Sequence, residues 1–299
     1  MAGPKCPAFS FFCYKVRIKE AYSLIKNELK GAGIDEFESD SALILSEVTK
    51  KTPLSVKLSP DEELSESEEK RLLHIIERRK KREPLQFIFG YAYFMGIKIP
   101  VSKEDDTLIP RFDTEMLCEA VLKEMKGEER VLDLCTGTGC ILLAIAKNKA
   151  NSYGVGCDIS EKAVIAAKKN ADHFSLSDRC SFFSGDLYEA VPDRTEPFDI
   201  IVSNPPYIRE RDMESLMPEV RLYEPERALL GGEDGLCFYR RIIKDSDAFL
   251  KLNGSIFLEI GYDEGEDVSN LLKEAGFSDI RIIKDLSALD RVICAKKRI

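Results

Sequence analysis

One run constrains the fold of this chain more than any other: Val131-Leu-Asp-Leu-Cys-Thr-Gly-Thr-Gly-Cys-Ile-Leu-Leu-Ala-Ile-Ala-Lys147. It reads as a buried strand, a tight glycine turn and an apolar helix. Downstream, strand-like and helical segments alternate. Strands are predicted at 130–134, 152–157, 180–184, 199–203, 255–260, 280–284 and 291–295, and helices near 113–126, 139–149, 161–173, 235–251 and 264–275. Strands separated by helices indicate a doubly wound, parallel α/β sheet. The last two strands have no helix between them, so one of them is expected to run antiparallel.

The first 85 residues have a different texture. Val16, Ile18, Ala21, Tyr22, Ile25 and Leu29 recur at helical spacing until Gly31 and Gly33 stop them. A second helix is expected over 39–49. A third opens on the carboxylate-rich Ser65-Glu-Ser-Glu-Glu and closes on Arg78-Arg-Lys-Lys-Arg82. That basic run is read as a solvated helix end, with contact to RNA as the sharper alternative. Between the two regions, Gln86-Phe-Ile-Phe-Gly-Tyr-Ala-Tyr-Phe-Met-Gly-Ile-Lys-Ile-Pro100 is aromatic and punctuated by glycine, which suggests a β-hairpin. The predicted domains are therefore a helical bundle (1–85), a hairpin linker (86–105) and an α/β domain (106–299). The first fifteen residues read as an extension.

Composition removes several function classes. With 44 Lys+Arg against 53 Asp+Glu, the formal charge is −9. An acidic balance argues against a long non-specific grip on nucleic acid. No run approaches the roughly 18–20 apolar residues needed to span a membrane, and Phe9–Tyr14 is too short for a secretory leader. The nine cysteines (Cys6, Cys13, Cys118, Cys135, Cys140, Cys157, Cys180, Cys237 and Cys294) show no Cys-x-x-Cys spacing. They fit buried thiols in a reducing cytoplasm. Only His74 and His173 are available, so neither a zinc site nor a histidine-activated nucleophile is expected. No metal is predicted.

The glycine turn points to a cofactor. Gly137 and Gly139 let a ligand approach the backbone. The dinucleotide fingerprint fails, because position 142 is Leu where a third glycine belongs. A pyrophosphate also disfavours the carboxylate Asp133 just before the loop. S-adenosyl-L-methionine, with its sulfonium and ammonium and no phosphate, suits it better. Asp158 ends the second strand, placed for ribose hydroxyls. Asp186 follows the third, placed for an adenine amine, and Leu187 offers the ring an apolar face.

The fourth strand ends in Phe198-Asp-Ile-Ile-Val-Ser-Asn-Pro-Pro-Tyr-Ile208. Pro205 and Pro206 stiffen the exit and remove two N–H donors. Asn204 adds a side-chain carbonyl. Two fixed acceptors, Asn204 and the Pro205 carbonyl, suit both hydrogens of a planar –NH₂ group, with Tyr207 placed to stack on its plane. An amide nitrogen is a poor nucleophile. Such a clamp would aim it and stabilise the positive charge that develops on it.

These residues resemble the HemK/PrmC protein-glutamine methyltransferases over about residues 17–297. Three further segments carry the likeness: Pro84-Leu-Gln-Phe-Ile-Phe-Gly90, Leu108-Ile-Pro-Arg-Phe-Asp-Thr-Glu115, and Glu224-Pro-Glu-Arg-Ala-Leu-Leu-Gly-Gly-Glu-Asp-Gly-Leu236 followed by Tyr239-Arg240. The resemblance implies a class I (Rossmann-like) methyltransferase with a doubly wound seven-stranded sheet, a small N-terminal helical bundle and a connecting β-hairpin. It implies methyl transfer from S-adenosyl-L-methionine, leaving S-adenosyl-L-homocysteine, to the glutamine amide in the Gly-Gly-Gln loop of peptide chain release factors. Cys135, Thr136, Gly137, Thr138, Gly139, Asp158, Ile159, Leu187 and Asn204 would then surround the cofactor. Asn204–Tyr207 would hold the glutamine, and Arg111 and Glu115 would lie near the mouth. The helical domain would dock the release factor. The family usually has Gly where this chain has Cys135, which tightens the loop and puts a thiol beside the sulfonium. A monomer in the cytoplasm, without membrane or nucleic-acid partner, is expected. Adenine or guanine amine methylation, and non-catalytic binding of adenosylmethionine, are the alternatives.

Overall fold

A computed structural model describes residues 15–298. The Phe9–Tyr14 patch, Cys6 and Cys13 lie outside the described residues. Two compact units separate between Phe89 and Gly90.

The first unit is helical: α1 (Ile18–Gly31), α2 (Phe37–Thr49), α3 (Pro53–Leu58), α4 (Glu66–Lys80) and α5 (Leu85–Phe89). Its core gathers the helically spaced Ile25 and Leu29 of α1, Ile44 and Leu45 of α2, and Leu72 and Ile76 of α4. Ser65 starts α4 as a capping box: its hydroxyl accepts the Glu68 N–H (3.3 Å) and its own N–H donates to Glu68 Oε2 (2.7 Å).

Two expectations change here. The basic run finds partners within its own unit. Arg79 is buried and donates to Asp40 Oδ2 at 2.8 Å, Arg78 meets Glu83, Lys80 meets Glu28 at 2.7 Å, and Arg82 donates to the Gly33 carbonyl at 2.6 Å. It is not a solvated helix end. Residues 85–89 form a helical turn and no strand, closed by Ile88 N–H to the Pro84 carbonyl. Leu85 joins the helical core, with Ile88 and Phe89 packed against it. A short apolar run without alternation has no period to separate strand from helix.

The second unit opens with the hairpin β1 (Tyr91–Phe94) and β2 (Ile97–Pro100). Then follow α6 (Phe112–Glu124), β3 (Arg130–Leu134), α7 (Cys140–Asn148), β4 (Tyr153–Asp158), α8 (Glu161–His173), β5 (Cys180–Ser184), β6 (Phe198–Ser203), α9 (Pro218–Tyr223), α10 (Cys237–Asp245), β7 (Leu250–Glu259), α11 (Gly265–Glu274), β8 (Phe277–Lys284) and β9 (Asp290–Lys297). The seven-stranded sheet has the order β5-β4-β3-β6-β7-β9-β8. Strands β3 to β7 pair in parallel, and β9 runs antiparallel to both its neighbours. Chain direction across the sheet reverses between β3 and β6, and ligands of such sheets bind outside the carboxyl ends at that point. Register aligns those ends: Leu134 lies opposite both Cys157 and Ser203, and Asp158 opposite Ser184. The residues that follow each strand are thus delivered to one rim. Among the described residues, His74 is exposed on α4, His173 stacks edge-on with Phe174, and no helix is long and apolar enough to cross a membrane.

Candidate active site

A cavity of about 260 Å³ opens at that rim. The loop after β3 supplies Cys135, Thr136, Gly137 and Thr138. The ends of β4 and β5 supply Asp158, Ile159, Asp186 and Leu187, and the exit of β6 supplies Asn204 and Pro206. Sequence reasoning had these. It missed the opposite wall, made by 106–110 and Thr114 on one side and Arg227, Phe238 and Arg241 on the other. The Leu108-Ile-Pro-Arg and Gly-Gly segments carry the available signal, from which only Arg111 and Glu115 are expected near the mouth.

The loop owes its shape to left-handed backbone. Gly137 (φ 54°) and Gly139 (φ 78°) turn it, and Gly139 begins α7. Cys135 takes φ 58° as well, a conformation that costs a non-glycine residue roughly 1 kcal/mol or more. A glycine would suit the position for this backbone reason. Burial first, and then the nearby Asp158 charge, hold the Cys135 thiol far above its ordinary range. It stays protonated and is not a nucleophile toward a neighbouring sulfonium.

Asp158 ties strand end to loop: Oδ2 accepts the Gly137 N–H (2.8 Å) and Oδ1 the Ser160 N–H (2.9 Å). Burial raises its pKa, against those bonds. Asp133 does not line the cavity. It is fully buried behind the loop, where Oδ2 accepts the Thr136 hydroxyl (2.6 Å) and Oδ1 has no partner among the described residues. Desolvation lifts its pKa to about 7. Asp186 has one oxygen on Arg241 at 2.7 Å, an engagement the sequence did not foresee. The cations of the cavity are all matched: Arg241 with Asp186, Arg111 with Glu224, Arg227 with Asp106. That leaves one lining carboxylate, Asp158, without a cation, and the Ile141, Ile159, Leu187, Pro206 and Phe238 surfaces are apolar. An uncompensated carboxylate beside apolar walls fits a cationic nucleoside.

At the β6 exit, Asn204 is half-buried and its Nδ2 donates to Thr114 Oγ1 at 3.1 Å. That bond leaves the Oδ1 carbonyl for a ligand. Pro205 is buried and only Pro206 forms wall. Tyr207 does not line the cavity: its hydroxyl donates to Glu259 Oε1 at 3.3 Å, so the expected stacking plane is turned inward. The Gly-Gly segment is a bed for this loop. A Cβ on Gly231 would lie 2.6 Å from Tyr207 Cα, and one on Gly235 would lie 2.7 Å from the Tyr207 carbonyl oxygen. Ile208 and Gly231 complete the contact, Ile208 N–H donating to Leu229 O and Gly231 N–H to Ile208 O, both at 2.8 Å.

The two residues expected at the mouth part company. Arg111 lines the cavity and pairs with Glu224, whose other oxygen accepts the Ile109 N–H at 3.0 Å. Glu115 instead accepts the Met95 N–H of the hairpin turn at 2.7 Å and is not part of the cavity wall.

Comparison with known proteins identifies the family and the fold. The PrmC N-terminal domain model matches residues 20–90, and the Methyltransferase small domain model matches residues 111–229. A Release factor glutamine methyltransferase of Clostridium acetobutylicum is 42% identical over 282 residues, covering 94% of this chain and 98% of its own length. One of Agrobacterium fabrum is 39% identical over 278 residues, covering 91% and 94%. A methyltransferase structure from Pyrococcus furiosus superposes with a TM-score of 0.51 at 17% identity, over 77% of this chain and 98% of its own, and shows the shared fold. On the identity and coverage of these full-length relatives, the chain belongs to the release factor glutamine methyltransferase family.

Proposed function

We propose that this protein transfers a methyl group from S-adenosyl-L-methionine to the side-chain amide nitrogen of the glutamine in the Gly-Gly-Gln loop of peptide chain release factors. The observation that carries it is Asn204: its amide nitrogen is held by Thr114, and its carbonyl is left for a ligand at the rim of the cavity. The cofactor, when bound, supplies an electrophilic methyl on sulfur. The Cys135–Gly139 turn, Asp158 and Leu187 hold it, with Asp186 shared with Arg241. Asn204 Oδ1 and the Pro205 carbonyl accept the two N–H groups of the glutamine amide. They aim its nitrogen and stabilise the positive charge that grows there as the new bond forms. Tyr207 anchors the loop through Glu259 and is not a stacking surface. The helical unit is the docking element for the release factor. Seven cysteines of the described residues are free thiols, five of them buried, which accords with a reducing cytoplasm.

The test incubates the protein with labelled adenosylmethionine and either a release factor or deproteinised RNA and DNA. Label enters the release factor. Label in nucleic acid alone would overturn the reading.

A further inference from the structure

The clamp residues sit on a buried network that the transfer chemistry does not itself use. Glu259 ends β7, beside the β6 exit, with 1% of its surface exposed. Its Oε1 accepts the Tyr207 hydroxyl. Thr114 is also buried, and its oxygen already accepts the Asn204 amide, so its one proton needs another acceptor. The Thr114 hydroxyl opposes the rise of the Glu259 pKa, which puts it near the carboxylate, and Glu259 Oε2 is buried with no hydrogen-bond partner among the described residues. The carboxylate therefore stands between the two ends of the Asn204–Tyr207 motif.

We infer that Glu259 is the positioning residue of the amide clamp, fixing Tyr207 directly and fixing, through Thr114, the face that Asn204 turns to the substrate. An ionised carboxylate only accepts, so Thr114 must donate to it and Asn204 must offer Thr114 its NH₂. Asn204 is left with its carbonyl outward, the polarity an incoming amide requires. A protonated Glu259 can donate to Thr114 instead. The Thr114 proton is then free to point at Asn204, and the amide loses its reason to face the right way. The same side chain would be present with the wrong atom outward.

The surroundings place this switch in a working pH range. Burial raises the Glu259 pKa to about 7, with Asp113 of α6 pushing the same way. Arg291 of β9, the Thr114 hydroxyl and the Tyr207 hydroxyl oppose the rise. Tyr239 of α10 donates to the Glu259 main-chain oxygen at 2.9 Å and reaches Glu264 Oε2 at 3.3 Å. Cys118 and Cys140 also feel the Glu259 charge, and burial keeps both thiols protonated.

This inference rests on the amide-methylation reading, and the test separates the two. Methyl transfer to release factor is measured from pH 5.5 to 9 for wild type, Glu259→Gln, Thr114→Val and Thr114→Ser, with cofactor affinity measured alongside. Wild-type kcat falls on acidification through a midpoint near 7. Glu259→Gln and Thr114→Val lower kcat at pH 8 by about ten- to a hundredfold, the scale of a misplaced reacting group, while cofactor affinity holds. Glu259→Gln also flattens the acidic limb, although Asp133 and Glu264, both raised to about 7, remain titratable in it. Thr114→Ser keeps the hydroxyl and restores activity. An active wild type beside a Glu259→Gln with unchanged kcat and acidic limb would overturn the inference alone. If Glu259→Gln does not fold, equal activity of Thr114→Ser and Thr114→Val overturns it instead. A wild type that labels no release factor would overturn the functional reading and this inference with it.

Discussion

Both units bury charge, and they do so to opposite ends. In the helical unit the buried Arg79 guanidinium closes on Asp40, side chains 6% and 7% exposed, and its neighbours in the basic run each find a partner. In the α/β unit, buried carboxylates keep an oxygen open: Asp133 Oδ1 behind the cofactor loop and Glu259 Oε2 behind the clamp. Closed buried pairs fix a shape. Open ones leave a group that can change state or meet a ligand, at a cost in stability the rest of the sheet has to offset.

The comparison breaks most visibly where it predicts the largest loss. Asp40→Ala takes the Asp40 carboxylate away from the buried Arg79 and should cost about 3–5 kcal/mol, melting that unit early in a thermal scan. Cofactor affinity, a property of the other unit, should stay put. A melting curve like that of wild type would show the pair is not holding the bundle. In the α/β unit the largest loss is in rate. Asn204→Ala should slow transfer by about 10²–10³, near 3–4 kcal/mol, the scale of one lost charge-stabilising donor or acceptor in a preorganised site. Calorimetry should find its cofactor affinity much less changed. Near-normal transfer would refute the clamp.

Glu259 gives a signature in stability. Its folded pKa of about 7 stands above the ordinary 4.5, so the native state holds this proton more tightly than the unfolded chain. That contribution is complete below about pH 4.5 and is lost as pH rises through 7. Glu259→Gln does not titrate. Its stability relative to wild type should therefore climb by about 3 kcal/mol between pH 4.5 and 8, read from urea melts. Asp133 and Glu264 titrate in both proteins and cancel. A difference that stays flat with pH would mean the carboxylate is not desolvated as described. The smallest expected effect is at the loop: Cys135→Gly relieves the left-handed φ and should add up to about 1 kcal/mol, or a few degrees in Tm. A loss of stability would show that packing of the thiol outweighs the backbone.

Much of this was legible in the chain. Hydrophobic runs placed all seven sheet strands, and the Asn-Pro-Pro-Tyr exit and glycine turn located the rim, because each is local and carries its own reason. What escaped was long-range. Nothing around Glu259 signals that it meets Tyr207, 52 residues away, and Thr114 lies 90 residues from the Asn204 it orients. Asp133 looked like a charge facing the ligand, since sequence shows which residue ends near a strand terminus and not which side of the loop it occupies. The run 78–82 looked solvated because its partners Asp40, Glu28 and Gly33 come from other elements.

The central claim is that this site grips a primary amide, and the substrate can be altered to ask it directly. A release factor whose Gly-Gly-Gln glutamine is replaced by glutamate offers a carboxylate with no N–H to clamp. Labelled methyl should pass to the glutamine form, mapped by peptide mass analysis to that side chain, and not to the glutamate form. Equal labelling of both, or a methyl mapped to another residue, would contradict the account.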